Sequence, residues 1–156
     1  MNIHEYQAKD ILRRNGVACG AGINGTELAA LKQGIETLPG PVWVVKSQIH
    51  AGGRGKGRFK ESVTGDDLAA VLRGEDAPGK GGVRVCFSAA AAAAAAEDML
   101  GKTLVTKQTG LEGKQVNTLY VEDGCSIARE LYIAVLLDRA VGQVLVMAST
   151  EGGMNI

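Results

Sequence analysis

The chain has 156 residues, 46% hydrophobic and only 4% aromatic, which gives one domain or two small lobes around an aliphatic core. Seventeen basic residues balance seventeen acidic ones, which argues against a general nucleic-acid or membrane binder and makes any attraction for anions local. The three cysteines, Cys19, Cys86 and Cys125, are scattered and show neither metal spacing nor a disulfide framework, so a reducing compartment is expected.

The opening segment MNIHEYQAKDILRRNG reads as a helix. Its early charges do not suit a secretory signal, and no run reaches the roughly 20 apolar residues of a membrane span. Asn2 is placed to cap the helix, Glu5 completes a capping-box pattern, and Gly16 ends it. Ile3, Tyr6, Ile11 and Leu12 make one apolar face. TELAALKQGIETLPG predicts a second helix, capped by Thr26, weakened by Gly34 and stopped by Pro39 and Gly40. PVWVVK, 41–46, is short, apolar and rich in β-branched residues, which fits a buried strand. The segment 61–82 is rich in Gly and Asp, has a short helical stretch at DDLAAVL, and reads as a surface excursion.

GVRVCF and TLVTKQT read as strands, with SAAAAAAAAEDML as a helix between them. Its eight alanines, 89–96, offer no large anchor for a core. They read either as genuine low complexity or as a stand-in for unidentified side chains, and no functional reading rests on them. NTLYVED is a further strand. RELYIAVLLD and QVLVMAST form a hairpin joined by RAVG. Mixed strands and helices imply an α+β or α/β domain. The last residues, STEGGMNI, bring no closing element, as expected of part of a longer protein.

The chemistry concentrates in VVKSQIHAGGRGKGRFK, residues 44–60. Gly52, Gly53, Gly55 and Gly57 allow backbone N–H groups to approach an anion, because no Cβ intervenes. Arg54 and Lys56 add charge, and Lys46 at the strand end can reach the same place. The combination suits a polyphosphate. It matches neither GxxxxGK[ST] nor GxGxxG, and a solvated basic turn is an equally good reading of the spacing alone. Glu122 ends a strand, where a carboxylate can take a ribose hydroxyl pair. Glu130 starts the following strand, eight residues on. By spacing alone each reads more simply as an exposed acid. His4 and His50 have no partner at catalytic spacing. His4 reads as a helix-end residue, and His50 more simply as a bystander than as a phosphate ligand.

The stretches MNIHEYQAKDIL, WVVKSQIHAGGRGKG, MLGKTLVTKQTG, VEDG…ARELYIAVLLDR and ASTEGGM run in this order through the chain. They closely resemble the β subunits of succinyl-CoA synthetases, the ADP-forming succinate–CoA ligases. The resemblance implies an α+β ATP-grasp fold, with a nucleotide held between two lobes. About 22–122 would form the first lobe. Residues 1–21 with 123–156 would start the second, and the C-terminal coenzyme A-side domain would be absent. The nucleotide would be ATP or GTP. Lys46, Gly53, Arg54 and Gly55 would contact its phosphates. Glu122 and the backbone near Cys125 would face the base and ribose, and Glu130 the ribose and phosphate side.

The family's magnesium ligands, an Asn and an Asp, would lie beyond residue 156. The phosphorylated histidine would belong to the α subunit, so neither His4 nor His50 takes that role and no catalytic residue is expected here. The implied reaction joins succinate and CoA at the expense of ATP, within the tricarboxylic acid cycle. The implied partner is the α subunit, in a heterodimer or α2β2 assembly, in the bacterial cytoplasm or mitochondrial matrix. The chain by itself would not turn over. Malate–CoA ligase and other acid–thiol ligase β subunits share these motifs. A truncated, non-catalytic nucleotide-binding module is the alternative of a different class.

Overall fold

The computed structural model describes residues 3–152. It divides into two compact units, 1–124 and 125–156. The first begins with α1 (Glu5–Arg14), β1 (Gly22–Gly25), α2 (Leu28–Ile35) and β2 (Trp43–Ser47). The short β3 (Arg58–Phe59), α3 (Gly65–Arg73) and β4 (Val83–Cys86) follow. Then come α4 (Ala89–Met99), β5 (Thr103–Val105), β6 (Lys114–Gln115) and β7 (Leu119–Asp123). The main sheet has the order β1-β7-β2-β4, with every neighbouring pair antiparallel. A smaller antiparallel sheet has the order β3-β5-β6. The architecture is α+β, as expected.

Strand periodicity puts Val45, Leu119 and Val121 on one face of the main sheet. There they form one core with Leu31 and Ile35 of α2 and with Ala92, Ala96 and Met99 of α4. Each fully buried Leu, Ile or Met there contributes about 1.5–3 kcal/mol. The alanine run is therefore a packing surface. Ser88 caps α4, its Oγ accepting from the Ala91 N–H at 3.1 Å, and buried Met99 supplies the large anchor missing from the alanines themselves.

Several boundaries differ from expectation. Glu27, not Thr26, stands at the cap of α2, without a side-chain hydrogen bond, and the helix ends at Ile35, before Pro39. A Cβ on Gly34 would come within 2.9 Å of Ile23 Cδ1, so this glycine admits β1 against the helix. TLVTKQT is a strand only as far as Val105. Thr106 and Thr109 then close a turn, with the Thr109 hydroxyl accepting from the Thr106 N–H at 2.9 Å. The segment 61–82 is anchored rather than loose. Thr64 and Asp67 cap α3 reciprocally, Gly74 ends it at φ +84°, and Leu68 and Val71 are buried.

The second unit contains β8 (Tyr132–Asp138) and β9 (Gln143–Ser149), an antiparallel hairpin as expected. Glu130 lies two residues before β8 rather than at its start. Ile133, Val135, Val144 and Val146 are exposed along the ribbon.

Candidate functional site

Lys46 alternates with the core residues Val45 and Ser47, so it points from the opposite face of the main sheet. Tyr120 is its partner across the β2–β7 register, and Glu122 follows one pair along on the same face. α1 lies over this face. Its residues Glu5, Lys9 and Arg13 recur every four positions and form one stripe. Lys46 Nζ donates to Glu122 and, at 2.8 Å, to Glu5 Oε1. Arg54 reaches Glu5 Oε2 at 2.8 Å and also donates to the Ser47 carbonyl. Lys9 donates to Glu122 and lies over the Tyr120 ring, 5.2 Å from its centroid. Arg13 donates to the Gly20 carbonyl at 2.7 Å.

The charged stripe of α1, not its apolar face, meets the sheet. Ile11 and Leu12 are 50% and 43% exposed, and Ile3, just before the helix, 43%. The expected cap also moves. Asn2 lies outside the described residues, and His4 occupies the cap position, where its N–H donates to Gln7 Oε1 at 2.8 Å. The His4 ring stacks on His50 at 4.1 Å with the planes 8° apart. The start of α1 is thus seated beside the glycine loop by one ring stack and two ion pairs.

Burial alone would raise the Glu5 carboxyl, but hydrogen bonds from Lys46 and Arg54 outweigh it and hold the group at about 2, down from 4.5. Burial would likewise raise the Glu122 carboxyl, but hydrogen bonds from Lys46 and Lys9 outweigh it and hold the group below its usual range. Burial lowers His4, helped by the neighbouring His50 and Arg54. An acid depressed in the folded state stabilises the fold above its unfolded value. That stability is lost as pH falls from about 4.5 towards 2. Thermal melts between pH 7 and pH 3 are expected to show this loss, and Glu5→Gln to flatten it. An unchanged acid limb in that variant would contradict the pairing.

The loop from Ala51 to Gly57 is a set of tight turns. Gly57 N–H donates to the Gly53 carbonyl at 2.9 Å, and Lys56 N–H to the same oxygen at 3.1 Å. Gln108, from the turn after β5, accepts from the Gly52 N–H at 2.7 Å. Among the described residues the N–H groups of Gly53, Arg54 and Gly55 have no hydrogen-bond partner. Successive free amides in a turn form an anion-binding concavity. Gly53 has φ +72°, whereas a Cβ on Gly55 would meet only Val83 Cβ, at 3.9 Å. Gly53→Ala is therefore expected to cost about 1–2 kcal/mol of stability, and Gly55→Ala almost none. Thermal melts check this, and equal losses in the two variants would contradict it.

Of the residues expected at the site, Lys46, Arg54 and Glu122 fall in one charge cluster, and Gly53 and Gly55 stand in the loop that carries Arg54. Cys125 is exposed, and both it and Glu130 belong to the second unit. The Glu130 carboxylate lies against Gly152, where a Cβ would meet its Oε1 at 2.6 Å. Sequence reasoning missed Glu5, Lys9, Gln108 and Gly81. The four-residue spacing of Glu5, Lys9 and Arg13 was the available signal for the first two. Among the described residues no group of three or more His, Cys, Asp or Glu stands ready to hold a metal. No helix among them is long and apolar enough to cross a membrane.

An α+β unit with an antiparallel main sheet and a glycine loop beside paired cations defines the class: the family model of the ATP-grasp domain matches residues 2–156, and the chain belongs to that family. Its curated relatives are narrower in kind. The succinate–CoA ligase [ADP-forming] subunit beta of Sinorhizobium medicae is 57% identical over 158 residues. Proteins of the same name from Chelativorans sp. and Bartonella tribocorum are 55% and 53% identical over 160 and 156 residues. Each match covers all of this chain and 36% of the relative's length.

Proposed function

We propose that this chain is the nucleotide-binding part of an ADP-forming succinate–CoA ligase β subunit. The full protein, with an α subunit, would convert ATP, succinate and CoA to ADP, phosphate and succinyl-CoA through a phosphohistidine on that partner. The observation that carries the reading is the convergence of Lys46 and Arg54 on one carboxylate, beside a loop with three unpartnered amides. Lys46 and Arg54 neutralise phosphate charge, and the amides of Gly53, Arg54 and Gly55 orient the phosphate chain. Glu122 accepts from a ribose hydroxyl at the strand end. By the family resemblance, the backbone near Cys125 is proposed for the base and ribose, and Glu130 for the ribose and phosphate side. In the full protein about 22–122 is proposed as the first lobe, with 1–21 and 123–156 starting the second, although in this chain residues 1–21 cluster with 22–124.

Magnesium serves phosphoryl transfer by neutralising developing charge. Its Asn and Asp ligands are proposed beyond residue 156, and no step proposed for this chain's residues runs through the ion. The bacterial cytoplasm or mitochondrial matrix is the proposed location. Two measurements test the reading. Calorimetry is expected to show that Gly55→Ala loses ATP affinity while keeping the wild-type melting temperature. The full-length protein mixed with an α subunit is expected to release at most one ADP per phosphorylated histidine from ATP alone, and to sustain ADP release over many turnovers only when succinate and CoA are both present. Intact affinity in the glycine variant, or sustained ADP release indifferent to succinate, would overturn it.

A further inference from the structure

We propose that Glu5 is a built-in competitor of the nucleotide phosphate: its carboxylate pairs with Lys46 and Arg54 and leaves them when a polyphosphate binds. The inference rests on the reading that Lys46 and Arg54 hold phosphate, and it adds how that site is regulated. The geometry supports substitution of one anion for another. The two oxygens of Glu5 each take one cation, Lys46 and Arg54, both at 2.8 Å. Carboxylate and phosphate oxygens are equivalent acceptors for ammonium and guanidinium donors. With Glu5 in place, three cations (Lys9, Lys46 and Arg54) face two carboxylates, Glu5 and Glu122. With Glu5 withdrawn they face one, and the cluster gains positive charge for the incoming ligand.

The contacts that seat the start of α1 are polar: the His4–His50 stack and the charged stripe. An ion pair of this kind can release one anion for another without breaking a packed core. The Lys9–Glu122 pair does not involve Glu5. It remains as a pivot when the helix start lifts from the loop.

The test is calorimetric titration of ATP into the full-length protein as wild type, Glu5→Gln and Lys46→Ala, with hydrogen exchange of the wild-type α1 amides. Glu5→Gln is expected to bind ATP about tenfold more tightly, Lys46→Ala more weakly, and the amides of residues 5–14 to exchange faster once ATP is bound. If Glu5→Gln binds no tighter while Lys46→Ala binds more weakly, the competitor role is overturned and the phosphate site stands. If Lys46→Ala binds as well as wild type, the phosphate reading falls, and the competitor role with it. Should Glu5→Gln not fold, the wild-type exchange decides alone. Slower or unchanged exchange in α1 overturns the proposal.

Discussion

Replacing Lys46 by alanine is expected to weaken ATP binding to the full-length protein by roughly 10- to 150-fold. A charge-assisted hydrogen bond to phosphate is worth about 1.5–3 kcal/mol, and that range sets the factor. The structure adds a second consequence. The Lys46 and Glu122 side chains are only 17% and 12% exposed, so the ammonium is a partly desolvated partner for two carboxylates. Removing it leaves Glu5 to Arg54 and Glu122 to Lys9, at a stability cost of about 1–3 kcal/mol. Calorimetry reads the first effect and thermal melts the second. An unchanged dissociation constant would remove Lys46 from the phosphate site, and an unchanged melting temperature would show the cluster to be energetically idle.

Gly81→Ala is expected to damage the loop from behind. A Cβ at that position would stand 2.0 Å from the Gly55 carbonyl oxygen and 2.9 Å from its carbon. Both are backbone atoms with no rotamer to escape through. The neighbouring contacts prevent an easy retreat. Gly82 N–H donates to the Arg54 carbonyl at 2.9 Å, and Ser47 N–H to the Gly82 carbonyl at 2.8 Å. The overlap therefore displaces the loop or opens the start of β4. The expected cost is about 1–3 kcal/mol of stability, the scale of overpacking, together with at least a tenfold loss of ATP affinity. Wild-type values for both in this variant would show that the loop does not depend on this seat.

These two residues show how far the sequence could be read. Lys46 and the glycine loop were legible because strand end, glycines and cations are adjacent in the chain. Gly81 supports the same loop from a segment that reads as an excursion, and its contact with Gly55 exists only after folding. The orientation of α1 was illegible for a different reason. Helical periodicity shows that Ile3, Ile11 and Leu12 share a face, but not whether a sheet lies against it. Here the polar stripe of Glu5, Lys9 and Arg13 faces the sheet, because Lys46, Tyr120 and Glu122 offer it partners. The alanine helix was legible as a helix but not as a core element. Small side chains pack by letting backbones come close, and hydrophobic bulk gives no sign of that. Cys125 was reached through family resemblance alone, and Glu130, which by spacing reads as an exposed acid, took its site role from the same resemblance; both stand in the second unit, apart in sequence from the loop.

The most direct measurement is a crystal structure of the full-length protein with ATP bound. Phosphate oxygens are expected within hydrogen-bond distance of Lys46 Nζ, the Arg54 guanidinium and the N–H groups of residues 53–55, with the Glu5 carboxylate withdrawn from both cations. ATP bound with its phosphates elsewhere, and Glu5 still joined to Lys46 and Arg54, would contradict this.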